Sequence, residues 1–198
     1  MNLKTTLLEA IKPFLLSESK FYQAWNSGEL PVSALKAYAN EYGAFIAMLP
    51  EAWEVQDDQE TSEEEREHIE LWEKFAAALE TEIGLPRNAR VAELIAKAKD
   101  LFADKASAQG ALFAFEVQQP ETSQSKLEGL RKHYSVSPQA EEYFITHSNN
   151  QHEAEKLLER LSSIDAAQQE RAIASCREMS RLLREALDGI YEQECSHA

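Results

Sequence analysis

A chain of 198 residues is long enough to bury a substantial core, and 43% hydrophobic with 28% charged residues are ordinary globular values that exclude general disorder. The formal net charge of -15, uninterrupted by any basic stripe, repels nucleic acid and anionic lipid, so neither nucleic acid nor membrane is expected as a partner. Cys176 and Cys195 are too few for a disulfide framework or a zinc knuckle, and no apolar run reaches the ~18 residues of a membrane span, so a soluble, cytoplasmic protein is expected.

Nearly every segment has helical periodicity, and the six glycines and six prolines fall mostly between segments, which predicts an all-α chain. A first helix is predicted over about residues 3–17, and a short one around FYQAW before the Gly28 turn. Pro31 suits a first helical position, and Tyr38, Tyr42, Phe45 and Leu49 then recur at i, i+4, i+7 and i+11 until Pro50. The acidic stretch EAWEVQDDQET reads as part helix, part loop. Thr61 or Ser62, followed three residues later by Glu64 or Glu65, forms a capping-box pattern that starts a helix running to about Glu82, closed by Gly84 and Pro86. Further helices are predicted over about 88–104, over about 106–133 with Pro120 inside, and from Ser137-Pro138 to about Leu161. Asp165 can cap the last, which extends to about Glu194 with Ile173, Cys176, Leu183, Leu187 and Ile190 inward. No repeat, linker or low-complexity tract intervenes, so residues 1–198 are expected to form a single domain, a bundle of about seven or eight helices.

Three ionisable residues fall on the expected inner faces of three different helices. His68 shares a face with Leu71, Trp72 and Phe75, as a metal ligand or as a core histidine bonded to a neighbour. Glu64 and Glu65 lie four and three residues before it on the same surface, yet each also fits the acid of a capping box in a solvated first turn. Glu116 stands among Phe113, Phe115 and Val117 in a stretch without charge from Ala106 to Phe115. Pro120 has no N–H to offer the Glu116 carbonyl, so the helix should kink there and open a pocket beside a buried acid that binds metal or pairs with Arg or Lys. His147 continues into a stripe through Gln151, Ala154, Leu158 and Leu161, whereas His152 lies about 100° further round, at the margin or exposed. His133 and His197 belong to no constellation, and no Gly-rich phosphate loop, Ser-centred elbow or Cys–His motif occurs. Ionisable groups on buried faces are costly unless paired or metal-bound, so converging ones point to metal chemistry.

The segments KFYQAWNSGELPVSALKAYANEYGAFI, HIELWEKFAAALE, ALFAFEVQQPETSQSKLEGLRKHY and EEYFITH occur in an order that resembles the heme-oxygenase-like fold of TenA, PqqC and the heme-oxygenase-like di-metal oxidases, over about residues 20–160. In particular they resemble the Chlamydia protein associating with death domains and its bacterial relatives, a group of 4-aminobenzoate synthases. The resemblance implies a Glu and a His on one helix, a Glu on the kinked helix and a His-x3-Asp-x2-His set as metal ligands, which here match at His68, Glu116 and His147. It also implies a tyrosine that supplies the aminobenzoate ring, matched by Tyr22, and a lysine near the site, matched by Lys126. By residue chemistry alone Tyr22 is an ordinary amphipathic aromatic and Lys126 a surface charge.

Several positions depart from that pattern. Thr61 stands where the group has its first glutamate, so Glu65, at E-x-x-H spacing as in UndA-type decarboxylases, is the expected substitute, with Glu64 or Glu60 as alternatives. The Asp becomes Gln151 and the final His becomes Ala154; His152 can stand in for that histidine only if the helix deviates locally. TenA-type thiaminase chemistry is disfavoured, because the Glu116 region lacks a nucleophilic cysteine. The expectation is therefore a non-haem oxidase or oxygenase holding one or two Fe ions, or Mn, that uses dioxygen and a reductant. The alternatives are oxidation of an external small amino or fatty acid, and a non-catalytic relative that binds a small molecule or a partner protein; assembly as a homodimer stays open.

Overall fold

Side chains that cap helices set most boundaries in the computed structural model, which describes residues 2–149 and 152–195. α1 (Leu3–Ile11) starts at Asn2, whose side chain accepts from the Thr5 amide, and gives way at Pro13 to 3-10 turns at Lys12–Phe14 and Leu16–Glu18. The first helix is therefore shorter than its apolar pattern suggests. α2 (Lys20–Ser27), capped by Ser19, ends at Gly28 with φ 74°, where a Cβ would also lie 2.5 Å from the His133 ring. Both the left-handed backbone and the missing Cβ require glycine there.

α3 (Val32–Ala37) passes through a π-helical turn, Tyr38–Tyr42, into α4 (Gly43–Ile46), and α5 (Leu49–Glu54) follows. Tyr38, Tyr42, Phe45 and Leu49 are all buried, as their spacing predicts. α6 (Gln59–Ala78) begins earlier than the capping-box pattern indicates. Asp58 is the cap, its carboxylate accepting from the Thr61 amide at 3.1 Å, and the helix ends at Ala78 rather than near Glu82. Starting from Asp58 puts Thr61, Glu65, His68, Trp72 and Phe75 on one buried stripe.

α7 (Ala89–Phe102) is capped by Asn88 and α8 (Lys105–Glu116) by Asp104. The expected helix over 106–133 is two helices: the chain turns at Val117 and Gln118, and Pro120 occupies the first turn of α9 (Gln119–His133), where its missing N–H costs nothing. Likewise the stretch from Pro138 to Leu161 divides into a 3-10 turn at Pro138–Glu141, α10 (Glu142–Ser148) and α11 (His152–Ser163). α12 (Ala166–Cys195) follows the Asp165 cap, whose carboxylate accepts from the Gln168 amide at 2.8 Å.

Among the described residues, 82% are helical, the segments join into seven helices, and there is no strand. α8 is the central rod: every residue from Ala108 to Glu116 is buried, against α7, α11 and α12. Gly110 permits the closest approach, since a Cβ there would sit 1.9 Å from the Ala172 carbonyl of α12. At the end of so enclosed a helix, Glu116 is 4% exposed. No described helix is long and apolar enough to cross a membrane.

Candidate metal centre

α6, α10, α11 and the end of α8 bring their ionisable residues to one place inside the bundle. Glu65, His68 and His147 are buried, and one ligand atom from each lies within 4.8 Å of the other two. Glu65 Oε2 is 3.4 Å from His68 Nδ1 without hydrogen-bond geometry, and the imidazoles of His68 and His147 meet at 4.4 Å between ring centroids. His147 Nδ1 lies 2.8 Å from the Tyr143 carbonyl. A carbonyl can only accept, so Nδ1 carries the proton and Nε2 keeps its lone pair for a ligand. The Tyr143 ring stacks on His147 at 4.0 Å, fixing the imidazole plane.

The protonation states follow from burial and like charge. Burial, then the charge of His68, pushes His147 down to about 3, so it is neutral at physiological pH. Burial acts to lower His68 too, but the Glu65 carboxylate, with Glu153 and Glu64, raises it overall. Glu65 is raised by burial, offset in part by His68, and then by the charges of Glu153 and Glu64. Glu116 is raised well above its ordinary value, first by burial and then by Glu65 and Glu153.

Glu116 is not within ligand spacing of the first three, but the charge of Glu65 acts on it. Its Oε1 has no hydrogen-bond partner, and the Trp53 indole nearby makes no bond of hydrogen-bond geometry either. Among the described residues no Lys or Arg forms an ion pair with it, so the alternative of a salt-bridged acid is not what the fold builds. Beside Glu116 opens a cavity of about 410 Å3, lined by Phe113, Val117, Ala154 and Leu158, with Lys4 on its wall.

His152 belongs to a second group, Glu64, His152 and Glu153, again with ligand atoms within 4.8 Å of one another. α10 ends at Ser148 and α11 is described from His152; Gln151, like His197, lies outside the described residues. The His152 side chain is 57% exposed. Glu153, Leu157 and Leu161 form the buried face of α11, while Ala154 and Leu158 line the cavity. Glu153 is the residue that sequence reasoning missed, although its spacing with Leu157 and Leu161 is a legible i, i+4, i+8 stripe. Glu60 is exposed.

Tyr22 and Lys126 do come together, and Lys126 is no surface charge. It is 2% exposed, its Nζ 3.2 Å from both the Tyr22 and the Tyr38 hydroxyls, which are themselves 3.2 Å apart. The ammonium also faces the rings of Tyr22 at 4.9 Å and Phe144 at 5.1 Å. Burial pushes Lys126 down to about 7 and raises both phenols. Ring contacts link this cluster to the ligand group: Tyr38 meets Trp72 at 5.2 Å, Trp72 meets Tyr143 at 4.7 Å, and Tyr143 stacks on His147. Cys176, buried in α12 and pushed up to about 12 by desolvation, offers no thiolate.

Two imidazoles and several carboxylates, with buried donor atoms at His68 and Glu116 left without hydrogen bonds, are a donor set that suits ferrous iron or manganese. The architecture is shared with solved structures. A TenA homologue from P. horikoshii matches with TM-score 0.74 over 96% of both chains at 14% identity. A domain of unknown function with a heme oxygenase-like fold from Shewanella denitrificans matches with TM-score 0.78, over 98% of this chain and 93% of that one, at 15% identity. Those likenesses define a heme-oxygenase-like helical bundle.

Residues 41–184 match the iron-containing redox enzymes, and the chain belongs to that family. That stretch contains both groups of candidate ligands and Lys126; Tyr22 precedes it. The 4-aminobenzoate synthase of Chlamydia pneumoniae is 30% identical over 149 residues, 65% of this chain and 66% of that relative. The 4-aminobenzoate synthase of Nitrosomonas europaea is 28% identical over 92% of this chain and 88% of its own.

Proposed function

We propose that this chain is a non-haem iron- or manganese-dependent oxidase that makes 4-aminobenzoate from its own Tyr22, using dioxygen and an external reductant. The observation that carries this reading is the buried Lys126 amine held 3.2 Å from the Tyr22 hydroxyl, in a core that also gathers Glu65, His68 and His147. A primary amine is seldom placed without a counter-ion beside two phenols, because desolvation of the ammonium disfavours it. Here desolvation leaves a large neutral fraction near pH 7, so Nζ carries an available lone pair next to the ring.

In this proposal Glu65, His68 and His147 would hold the metal, with Glu116, whose Oε1 is unpartnered, and His152 as further ligands it could recruit. The bound metal supplies the activation of dioxygen. Tyr143 orients His147 through its carbonyl and its ring. Burial keeps Tyr22 and Tyr38 protonated, and Tyr38 fixes the position of the Tyr22 hydroxyl and of Nζ together. Trp72 and Tyr143 exclude water between the two clusters.

Protein reconstituted with Fe(II), or with Fe(II) and Mn(II), and given oxygen and a reductant is expected to lose mass in the peptide containing Tyr22 and to release 4-aminobenzoate. Tyr22→Phe and Lys126→Ala each abolish the release. Metal-dependent oxygen uptake that leaves Tyr22 intact would reject the self-consuming reaction and favour oxidation of an external small amino or fatty acid. That second reading has its own support, the 410 Å3 cavity whose wall includes Glu116.

A further inference from the structure

The cavity beside Glu116 has a layered lining. Three charged residues stand at its open edge: Lys4 of α1, Glu121 of α9 and Glu155 of α11, all exposed. None of the three forms an ion pair with a described residue. Half-buried Val117, Pro120 and Leu158 make the walls, and the buried end holds Phe113 and Glu116. Lys4 precedes the stretch that matches the iron-containing redox enzymes, so the rim is not part of that match.

Each layer selects a different part of a ligand. One cation and two anions at a wet edge match the carboxylate and the ammonium of a free α-amino acid, whereas a simple carboxylic acid leaves the two glutamates without a counter-charge. The apolar walls take an apolar side chain rather than a second charge. At the buried end, Glu116 Oε1 has no hydrogen-bond partner, so a ligand that brings a donor to that depth removes the cost of an unmet buried acceptor. A carboxylate has two oxygens, so a cation held on one leaves the other for such a donor. Phe113 beside it favours an aromatic ring. Size agrees, because a void of ~150 Å3 already takes benzene, and this cavity of about 410 Å3 has room for a ring and an amino-acid head.

We infer that this cavity binds a free aromatic α-amino acid whose side chain ends in a hydrogen-bond donor, namely tyrosine. Its carboxylate pairs with Lys4, its ammonium meets the rim glutamates, its ring packs against Phe113 and Leu158, and its phenol hydroxyl donates to Glu116. The inference deepens the reading in which an external amino acid is oxidised, and rests on that reading for any chemistry after binding. Binding itself needs no metal, so the two are tested apart.

Metal-free full-length protein is titrated with L-tyrosine by isothermal titration calorimetry, and one tyrosine per chain is expected. Phenylalanine, which lacks the hydroxyl, binds at least ~10-fold more weakly, and Glu116→Leu abolishes that preference. The desamino analogue of tyrosine binds wild type at least ~3-fold more weakly, and tyrosine binds Lys4→Glu more weakly by a similar factor. Leu158→Trp fills the cavity and removes binding. Lys4→Glu, at an exposed side chain, keeps the test intact should either of the other variants fail to fold. No saturable binding up to ~1 mM, undiminished binding to a folded Leu158→Trp, or tighter binding of phenylalanine, lysine, decanoate or 4-aminobenzoate overturns the inference. Tyrosine bound as expected by a protein that, once loaded with iron, consumes only its own Tyr22 leaves the site standing and refutes the external-substrate reading.

Discussion

Replacing Lys126 by Met probes the most unusual charge in the core. Burial moves this amine from its ordinary 10.5 to about 7, a gap that corresponds to about 5 kcal/mol. Between those two values the unfolded chain holds a proton that the folded chain has released. Folding stability therefore rises with pH across that window, by about 1.4 kcal/mol per pH unit, and the destabilisation is complete below pH ~7 and gone above pH ~10.5. Met fills a similar volume and cannot ionise. It forfeits the two hydrogen bonds to Tyr22 and Tyr38, worth roughly 1 kcal/mol each. Lys126→Met should accordingly be more stable than wild type by about 3 kcal/mol at pH 6 and less stable by about 2 kcal/mol above pH ~10.5, the curves crossing near pH ~9. Urea denaturation of both metal-free proteins at half-unit steps from pH 6 to 10 measures the difference, and groups that titrate identically in both cancel. A difference that does not change with pH would refute the claim that the buried amine loses its proton near neutrality.

Three further outcomes follow from the geometry. His147→Ala should remain helical by circular dichroism yet lose the rise in melting temperature that Mn(II) gives wild type, because it removes the neutral nitrogen of the Glu65–His68–His147 group. Glu116→Gln mimics the protonated carboxyl that burial favours, so the metal-free melting curve should change by no more than about 1 kcal/mol while Mn(II) affinity falls; unchanged affinity would remove Glu116 from the site. Glu41→Ala should cost about 3 kcal/mol in urea denaturation with metal binding intact, because its buried carboxylate accepts from the amides of Arg87 and Asn88 at the start of α7.

Local pattern alone determined the all-α class, the stripe of Tyr38, Tyr42, Phe45 and Leu49, and the interior positions of His68, Glu116 and His147. Helical periodicity is a short-range property, and residues spaced by whole turns share a face whatever the rest of the chain does. Where a helix starts and stops is less legible. Thr61, Ser62 and Asp58 all make competent caps, and the choice of Asp58 took Glu65 from a solvated first turn to the buried stripe. The same uncertainty hid Glu153, whose inward position depends on the phase of α11 relative to α10.

Lys126 was beyond local reading altogether. A lysine stem suits surface and core alike, and what holds the ammonium inside is Tyr22 and Tyr38, 104 and 88 residues away in sequence. Only the tertiary packing of α2, the π-turn and α9 brings those three polar atoms together, and only the enclosing aromatic rings remove the water that would keep the amine charged.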